Sequence, residues 1–366
     1  MQITDIALRN FRNYAQAAFH PCAGVTALVG DNGQGKTALL EAVVLCCMGR
    51  SHRTPRDREL VRLGEETGRV TVTAQRRDGR HDVDMLLNRS ARKTVKVNGN
   101  TLSRSGELMG HVSGVLFAPE NLRLVKDGPE ERRRFLDMAI SQIRPSYSYA
   151  LQRYTHALTQ RNKLLRDIQD RAELLRTLDA WDEQLAQHGA IVMSARAQYI
   201  QKCAAIANEA HSDISGEKEK LDVRYEPSVR FGERPRPEEL MSALQSMREN
   251  DLRRGTTLCG PHRDDIALLI NGIDARAYAS QGQQRTVALA LKLSELLIMK
   301  EELHEPPILM LDDVMSELDP QRRRRLLSHI SGIQTIVTCT DMTDLSDAQI
   351  GSAWRVTNGE QSLLSE

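Results

Sequence analysis

The sequence predicts an α/β fold in which a large, mainly helical insertion splits a strand-rich core. Three observations carry that expectation. Val25-Thr26-Ala27-Leu28-Val29, a β-branched run, leads into a glycine-rich loop, and Thr37 to Met48 then reads as a helix. Ile308-Leu309-Met310-Leu311-Asp312-Asp313 is an apolar run ending in two carboxylates, 276 residues beyond Lys36 (312 − 36). Between Pro145 and Pro227 there is no proline, and Leu151, Tyr154, Leu158, Leu165, Leu185, Val192 and Tyr199 recur at helical spacing.

The remaining elements follow in order. Val70 to Val97 alternates apolar and polar residues around Asp78-Gly79, a hairpin signal. Pro145 to Pro227 is read as two or three long amphipathic helices, and Pro227 to Pro237 as a break. A hairpin is expected around Asn271-Gly272, a helix from about Gln284 to Lys300, and strands at Ile308 to Leu311 and Thr335 to Cys339.

Composition narrows the class. The 366 residues are 40 % apolar and 27 % charged, ordinary for a folded globular chain. Ala38 to Met48, the longest apolar candidate, is broken by Glu41 and falls short of the roughly 18 residues that span a bilayer. Met1-Gln2-Ile3-Thr4-Asp5 lacks the pattern of a secretory signal, so no membrane association and a cytoplasmic location are expected. Six cysteines without a CxxC pair fit a reducing compartment and no zinc site. The net charge of +1 gives no global signal for nucleic acid. Beneath it stand 40 Arg against 10 Lys, which a GC-rich genome explains more readily than selection for phosphate forks. Local charge is more telling. Arg50 to Arg62 holds five Arg against two acids, and Arg76 to Lys93 six basic residues against three acids.

Gly30-Asp31-Asn32-Gly33-Gln34-Gly35-Lys36-Thr37 satisfies GxxxxGK[ST] in full, between a predicted strand and a predicted helix. The glycines let backbone N–H groups wrap a phosphate at a helix N-terminus. Lys36 is expected to reach the β- and γ-phosphates of ATP, and the Thr37 hydroxyl to ligate Mg²⁺. Asp312, at a strand end, is placed to hold that metal directly or through water. Asp313 is the candidate general base for an attacking water, although paired acids at a strand end also serve as turns or caps. Ser280-Gln281-Gly282-Gln283 precedes the helix leading to that strand: a second anion site, or an ordinary capping box of Ser280 with Gln283.

The order of short blocks along the chain is more specific. Phe11-Arg12-Asn13-Tyr14, the phosphate loop, Gly49-Arg50-Ser51-His52-Arg53-Thr54, Phe117-Ala118-Pro119-Glu120 and Arg132-Arg133-Arg134-Phe135-Leu136-Asp137 are followed by Gln160-Arg161-Asn162, Gly260-Pro261-His262-Arg263-Asp264-Asp265, Ser280-Gln281-Gly282-Gln283 and Leu311-Asp312-Asp313. From about residue 1 to 340 the chain resembles the bacterial RecF family of recombination and repair proteins, related to the heads of SMC proteins. The resemblance implies an ABC-type ATPase head. Its β-rich nucleotide-binding lobe I would comprise 1–120 and 300–366, and its helical lobe II 121–299. Gly30 to Thr37 of one chain would face Ser280, Gly282 and Gln283 of another across ATP, with Ser316-Glu317-Leu318-Asp319 as the D-loop. It also implies an ATP-dependent homodimer that binds duplex DNA near single-strand gaps, with weak DNA-stimulated hydrolysis. RecR and RecO would be partners in loading RecA, with a link to the SOS response.

Two departures are visible. Transporters of the ABC type carry a His after the last core strand, where this chain has Thr338-Cys339-Thr340-Asp341. Their Q-loop glutamine has no clear counterpart, and Glu120 stands in that region. Arg50, Arg53, Arg56, Arg58 and Arg62 are the preferred DNA-phosphate contacts, against a plain solvated face. Arg12 is read as a nucleotide contact or an exposed turn residue. His262 is read as a site residue or a structural one. Four arginines at 322–325 surround a helix, so at least one is expected to pack or pair. The competing classes are a transporter's nucleotide-binding subunit and an ATP-driven nuclease or helicase. The long spacing disfavours the first, and the second lacks a further metal cluster.

Overall fold

The computed structural model describes residues 1–168, 172–216 and 219–365. The chain opens with β1 (Gln2–Phe11) and β2 (Tyr14–Phe19), then β3 (Val25–Val29), which runs through the glycine loop into α1 (Lys36–Met48). β4 (Thr67–Arg76), β5 (Gly79–Asn88), β6 (Thr94–Val97), β7 (Asn100–Thr101) and β8 (Gly114–Phe117) follow. Helices then take over: α2 (Arg123–Lys126), α3 (Pro129–Ile143), α4 (Pro145–Asp167) and α5 (Leu178–Ser215). After β9 (Leu221–Glu226) come α6 (Pro237–Arg254), β10 (Asp265–Ile270), β11 (Ile273–Asp274), α7 (Ala275–Tyr278) and α8 (Gln281–Leu303). β12 (Ile308–Leu311), α9 (Pro320–His329), β13 (Thr335–Cys339), β14 (Ile350–Thr357) and β15 (Glu360–Ser365) close the chain.

Two compact units result. Unit 1 is Met1–Leu122, Asp213–Glu217 and Ala288–Glu366; unit 2 is Arg123–Ser212 and Lys218–Val287. Helix α8 is divided between them at Val287/Ala288, within the same helix in which the sequence reading sets its boundary at 299. Among the described residues no helix is long and apolar enough to cross a membrane.

Unit 1 holds an antiparallel sheet in the order β2-β1-β4-β5-β6-β7 and a mixed sheet in the order β15-β14-β3-β13-β12-β8. In the second, β13 pairs in parallel with both β3 and β12, and β12 with β8. β8, β12 and β13 are buried at every position, as parallel strands covered on both faces require. Helix α1 is buried throughout except at Thr37 and packs on strands of both sheets. Gly49, at φ +68°, ends it by turning its N–H onto the Leu45 carbonyl.

Unit 2 is helical with a three-stranded sheet, β11-β10-β9. The expected Asn271-Gly272 hairpin joins β10 to β11, with φ of +51° and +82° at the two turn residues. The helical reading of 145–227 stops short: β9 occupies Leu221–Glu226, because it pairs along β10 from Asp265 to Ile270. Gly189 in mid-α5 lets that helix meet α6, since a Cβ there would lie 2.4 Å from Leu240 Cδ2. Arg161 is fully buried between Asp182 at 2.6 Å and Asp251 at 2.7 Å.

His262 belongs to this same unit. Its Nδ1 lies 2.6 Å from the Tyr154 hydroxyl and its Nε2 3.0 Å from the Thr257 carbonyl. The carbonyl fixes the proton on Nε2, so Tyr154 donates to Nδ1 and the ring is neutral. Burial lowers its pKa to about 4, helped by Arg263, Arg133 and Arg161, against the bond to Thr257. An unfolded chain binds that proton near pH 6.5 and the folded one only near 4, so stability falls as pH drops through this window. The loss is at most roughly 3 kcal/mol. Urea unfolding at pH 7.5 and 4.5 is expected to show a smaller pH effect for His262→Asn than for the unaltered protein. Identical pH effects in the two proteins would remove His262 from this role.

Candidate nucleotide and metal site

The C-terminal ends of β3, β13 and β12 lie side by side, and the site is built there. Leu311 is opposite Val337, and Cys339 opposite Val29. The glycine loop after β3 and the carboxylates after β12 are thus brought to one edge, where ligands of such sheets bind. Gly30, Gly33 and Gly35 adopt positive φ. A Cβ on Gly30 would lie 2.3 Å from the Val356 carbonyl oxygen, and one on Gly35 2.7 Å from the Asn13 side-chain nitrogen. The loop is held from outside. Asn13 Nδ2 donates to the Gln34 carbonyl at 2.8 Å, the Tyr14 hydroxyl to the Gly35 carbonyl at 3.0 Å, and the Asn358 N–H to Gln34 Oε1 at 2.6 Å.

Lys36 is buried, its Nζ bonded to the Gly30 and Asp31 carbonyls at 2.5 and 3.1 Å. The Thr37 hydroxyl donates to Asp312 Oδ1 at 2.9 Å across 275 residues of sequence. Thr338 donates to the same oxygen at 2.9 Å and accepts the Asp313 N–H at 2.8 Å. Burial raises the Asp312 pKa; the Thr338 and Thr37 hydroxyls oppose the shift, while the charges of Asp313 and Glu120 add to it. Glu120 therefore stands close enough for its charge to reach Asp312. A hydroxyl beside a carboxylate is an oxygen donor pair suited to Mg²⁺.

A cavity of about 1030 Å³ opens from the loop. Asn32, Lys36, Thr37 and Asp313 line it, and so do Arg12, Arg53, Arg58, Arg62 and the exposed Leu63. Three of the five arginines assigned from sequence to DNA thus face the cavity of the phosphate loop. Arg56 points to Glu59 at 3.5 Å instead. Arg12 is neither free nor a simple turn residue: it forms a two-pronged pair with fully buried Glu41, both contacts 2.7 Å. Ser51 also donates to Glu41 and accepts the Arg53 and Thr54 N–H groups at 2.9 and 3.1 Å. Sequence reasoning assigns no site role to Asn13, Tyr14, Glu41, Ser51 or Thr338; Asn13, Tyr14 and Ser51 stand in the short blocks that carry the family resemblance, Thr338 is a hydroxyl in an apolar strand, and Glu41 shows only as an interruption of an apolar run.

Ser280, Gly282 and Gln283 belong to unit 2. Ser280 Oγ accepts the Gln283 N–H at 3.3 Å and Gln283 Oε1 the Ser280 N–H at 2.8 Å, the capping box expected from sequence. Ser280 is exposed, and beside Gly282 an added Cβ meets nothing. Among the four arginines of α9, Arg323 bonds the Leu318 and Asp344 carbonyls at 3.1 and 3.2 Å.

Glu41→Gln is expected to lower stability by about 3 kcal/mol, the low end for breaking a buried ion pair, because Arg12 keeps partial access to water. Urea unfolding reads this directly, and an unchanged midpoint would show that the Arg12–Glu41–Ser51 link carries no weight.

Comparison with known proteins agrees with this geometry. The family described as RecF/RecN/SMC N terminal domain matches residues 2–363. The DNA replication and repair protein RecF of Acetivibrio thermocellus is 41 % identical over 93 % of this chain and 94 % of its own length. That of Agathobacter rectalis is 39 % identical over the whole of both chains. Among solved structures, the recombination mediator protein RecF with ATP superimposes with a TM-score of 0.93 at 38 % identity, over 99 % of this chain and 97 % of that one. The Smc head domain of Pyrococcus furiosus shares the fold alone, with a TM-score of 0.59 at 15 % identity, covering 100 % of this chain and 96 % of that one. With the phosphate loop, the paired carboxylates and near-complete coverage by these relatives, the chain belongs to the RecF family and has the α/β head fold of ABC-type, SMC-like ATPases.

Proposed function

We propose that this chain is an ATP-gated DNA-binding protein of replication and recombinational repair. Its ATP-induced homodimer clamps duplex DNA near single-strand gaps, hydrolyses ATP slowly, and acts in the cytoplasm with RecR and RecO to promote RecA loading and the SOS response. The observation that carries the reading is the Thr37–Asp312 contact beside the phosphate loop, with Thr37 and Asp313 both lining the cavity. RecF solved with ATP, over nearly the whole length of this chain, supports the choice of nucleotide.

In this reading the loop amides and Lys36 hold the phosphates, and Lys36 exchanges its two carbonyl partners for phosphate oxygens. Thr37 and Asp312 would hold Mg²⁺, which supplies charge neutralisation at the phosphates. Asp313 accepts a proton from the attacking water. Ser280, Gly282 and Gln283 of a second copy close on the γ-phosphate, with Ser280 Oγ and the helix N-terminus behind it as donors. Arg53, Arg58 and Arg62 act first on the nucleotide, through the cavity they line, and Arg50 and Arg56 remain candidates for DNA phosphate. Sedimentation with ATP, ADP or no nucleotide, each with and without a gapped duplex, tests the whole scheme. A mass unchanged by ATP in both settings would sink it.

Two outcomes follow. Replacing Arg53, Arg58 and Arg62 together by Gln is expected to weaken binding of a fluorescent ATP analogue by about tenfold or more, on the scale of one lost charged hydrogen bond. The same change at Arg50 and Arg56 leaves that affinity alone. Unchanged ATP affinity with a flattened salt dependence of duplex binding would return the three cavity arginines to DNA.

Ser280→Arg is expected to bind ATP yet fail to dimerise, because a long side chain fills the approach to a second molecule. Asp313→Asn is expected to dimerise but lose about 10²–10⁴-fold in turnover. Mixed in equal amounts, the two variants pair one intact signature with one intact carboxylate and recover part of the hydrolysis. ATP-driven dimers of Ser280→Arg as abundant as those of the unaltered protein would refute the two-chain site.

A further inference from the structure

We propose that Thr338 is a positioning residue for hydrolysis: its hydroxyl fixes the backbone at Asp313 and thereby aims the Asp313 carboxylate into the cavity. The inference rests on the reading of Asp313 as general base given above.

Thr338 is an unusual residue for its strand. All five residues of β13 are buried, and a parallel strand covered on both faces favours Val or Ile. Thr338 is fully buried, and a hydroxyl there is costly unless it is bonded. Thr335, on the same strand, satisfies its hydroxyl on the Ile333 carbonyl two residues back, at 3.0 Å, an ordinary local solution. Thr338 instead reaches across to β12. A carboxylate only accepts, so its single proton goes to Asp312 Oδ1 at 2.9 Å. Its lone pair takes the Asp313 N–H at 2.8 Å, and Asp313 Oδ1 lies at 3.4 Å.

That contact sits at a sharp change of direction. Asp312 continues the sheet, donating its N–H to the Phe117 carbonyl at 2.8 Å. Asp313, at φ +49°, leaves it in the left-handed region, uncommon for a residue with a side chain. Its carbonyl is held separately by Ser316 Oγ at 2.9 Å. The amide of Asp312 is therefore secured by β8 and the amide of Asp313 by Thr338. Removing the Thr338 hydroxyl releases the second without touching the first. It also takes one donor from Asp312 Oδ1, which keeps the Thr37 hydroxyl at 2.9 Å, and it leaves Lys36 and the loop amides intact, so turnover is expected to fall further than ATP binding.

The test uses Thr338→Val, Thr338→Ser and, as a parallel reference, Asp313→Asn, all in the full chain. Without nucleotide, amide hydrogen exchange in Thr338→Val is expected to quicken about tenfold at Asp313, the scale of one lost hydrogen bond, while Asp312 is unchanged. The kcat for ATP falls about 10- to 100-fold, as for a displaced catalytic group, with KM nearly unaltered. Thr338→Ser keeps the hydroxyl and restores both readings. If Thr338→Val does not fold, Thr338→Ala gives the same readings without a branched side chain. Turnover or Asp313 exchange in the hydroxyl-free variant equal to that of the unaltered protein, while Asp313→Asn is impaired, would overturn the role of Thr338 and leave the wider reading standing. Normal turnover in Asp313→Asn would overturn the general base, and this inference with it.

Discussion

The parallel pairing of β13 between β3 and β12 is the constraint on which the site depends. It joins residues 25–29 to residues 308–311 through a strand at 335–339. Parallel strands cannot be closed by a tight turn, and the intervening chain must leave the sheet and return. The entropy of closing a long excursion grows only slowly with its length, so a helical insertion of this size is tolerable once the register is strongly specified. Here it is specified by buried apolar residues on every strand of the central group. A slip of one residue in β13 would point Thr338 to the opposite face and separate it from both aspartates. Packing thus fixes the chemistry: the interactions that hold the sheet also align the loop, the metal-type donors and the candidate base.

Much of this was legible because the relevant signals are local. Strands β12 and β13 lie where apolar runs place them, and the glycine loop is recognisable from spacing between a strand and a helix. The capping box at Ser280 follows from two residues three apart. What could not be read depends on partners far away in sequence. β9, Leu221-Asp222-Val223-Arg224-Tyr225-Glu226, does alternate apolar and polar residues, but its six residues close a long proline-free helical stretch, and pairing with β10 is what marks them off as a strand. Glu41 looked like an interruption in an apolar helix, whereas it is the buried anchor for Arg12 and Ser51. The sequence leaves His262 two readings, and the choice between them lies with Tyr154 and Thr257, which occupy both ring nitrogens.

The arginine-rich segment illustrates the same limit with a functional consequence. Its residues have little regular structure, a single 3₁₀ turn at Asp57–Glu59, and no periodicity that would orient them. Four distant side chains do so instead. Arg12 Nη1 donates to the Glu59 carbonyl at 3.0 Å, and Ser51 is tied to Glu41. Lys93 pairs with Asp57 at 2.9 Å, and Arg89 bonds the Glu65, Val61 and Arg62 carbonyls at 2.7, 3.2 and 3.1 Å. Side chain to backbone bonds of this kind fix a loop without giving it a sequence signature. The cavity arginines therefore have two roles: Arg12 and Arg89 line it while bonded into the scaffold, and Arg53, Arg58 and Arg62 are presented to it by that scaffold. Charge counting along the chain cannot separate the two, because scaffold and presented arginines differ only in which acids and carbonyls the fold brings to them.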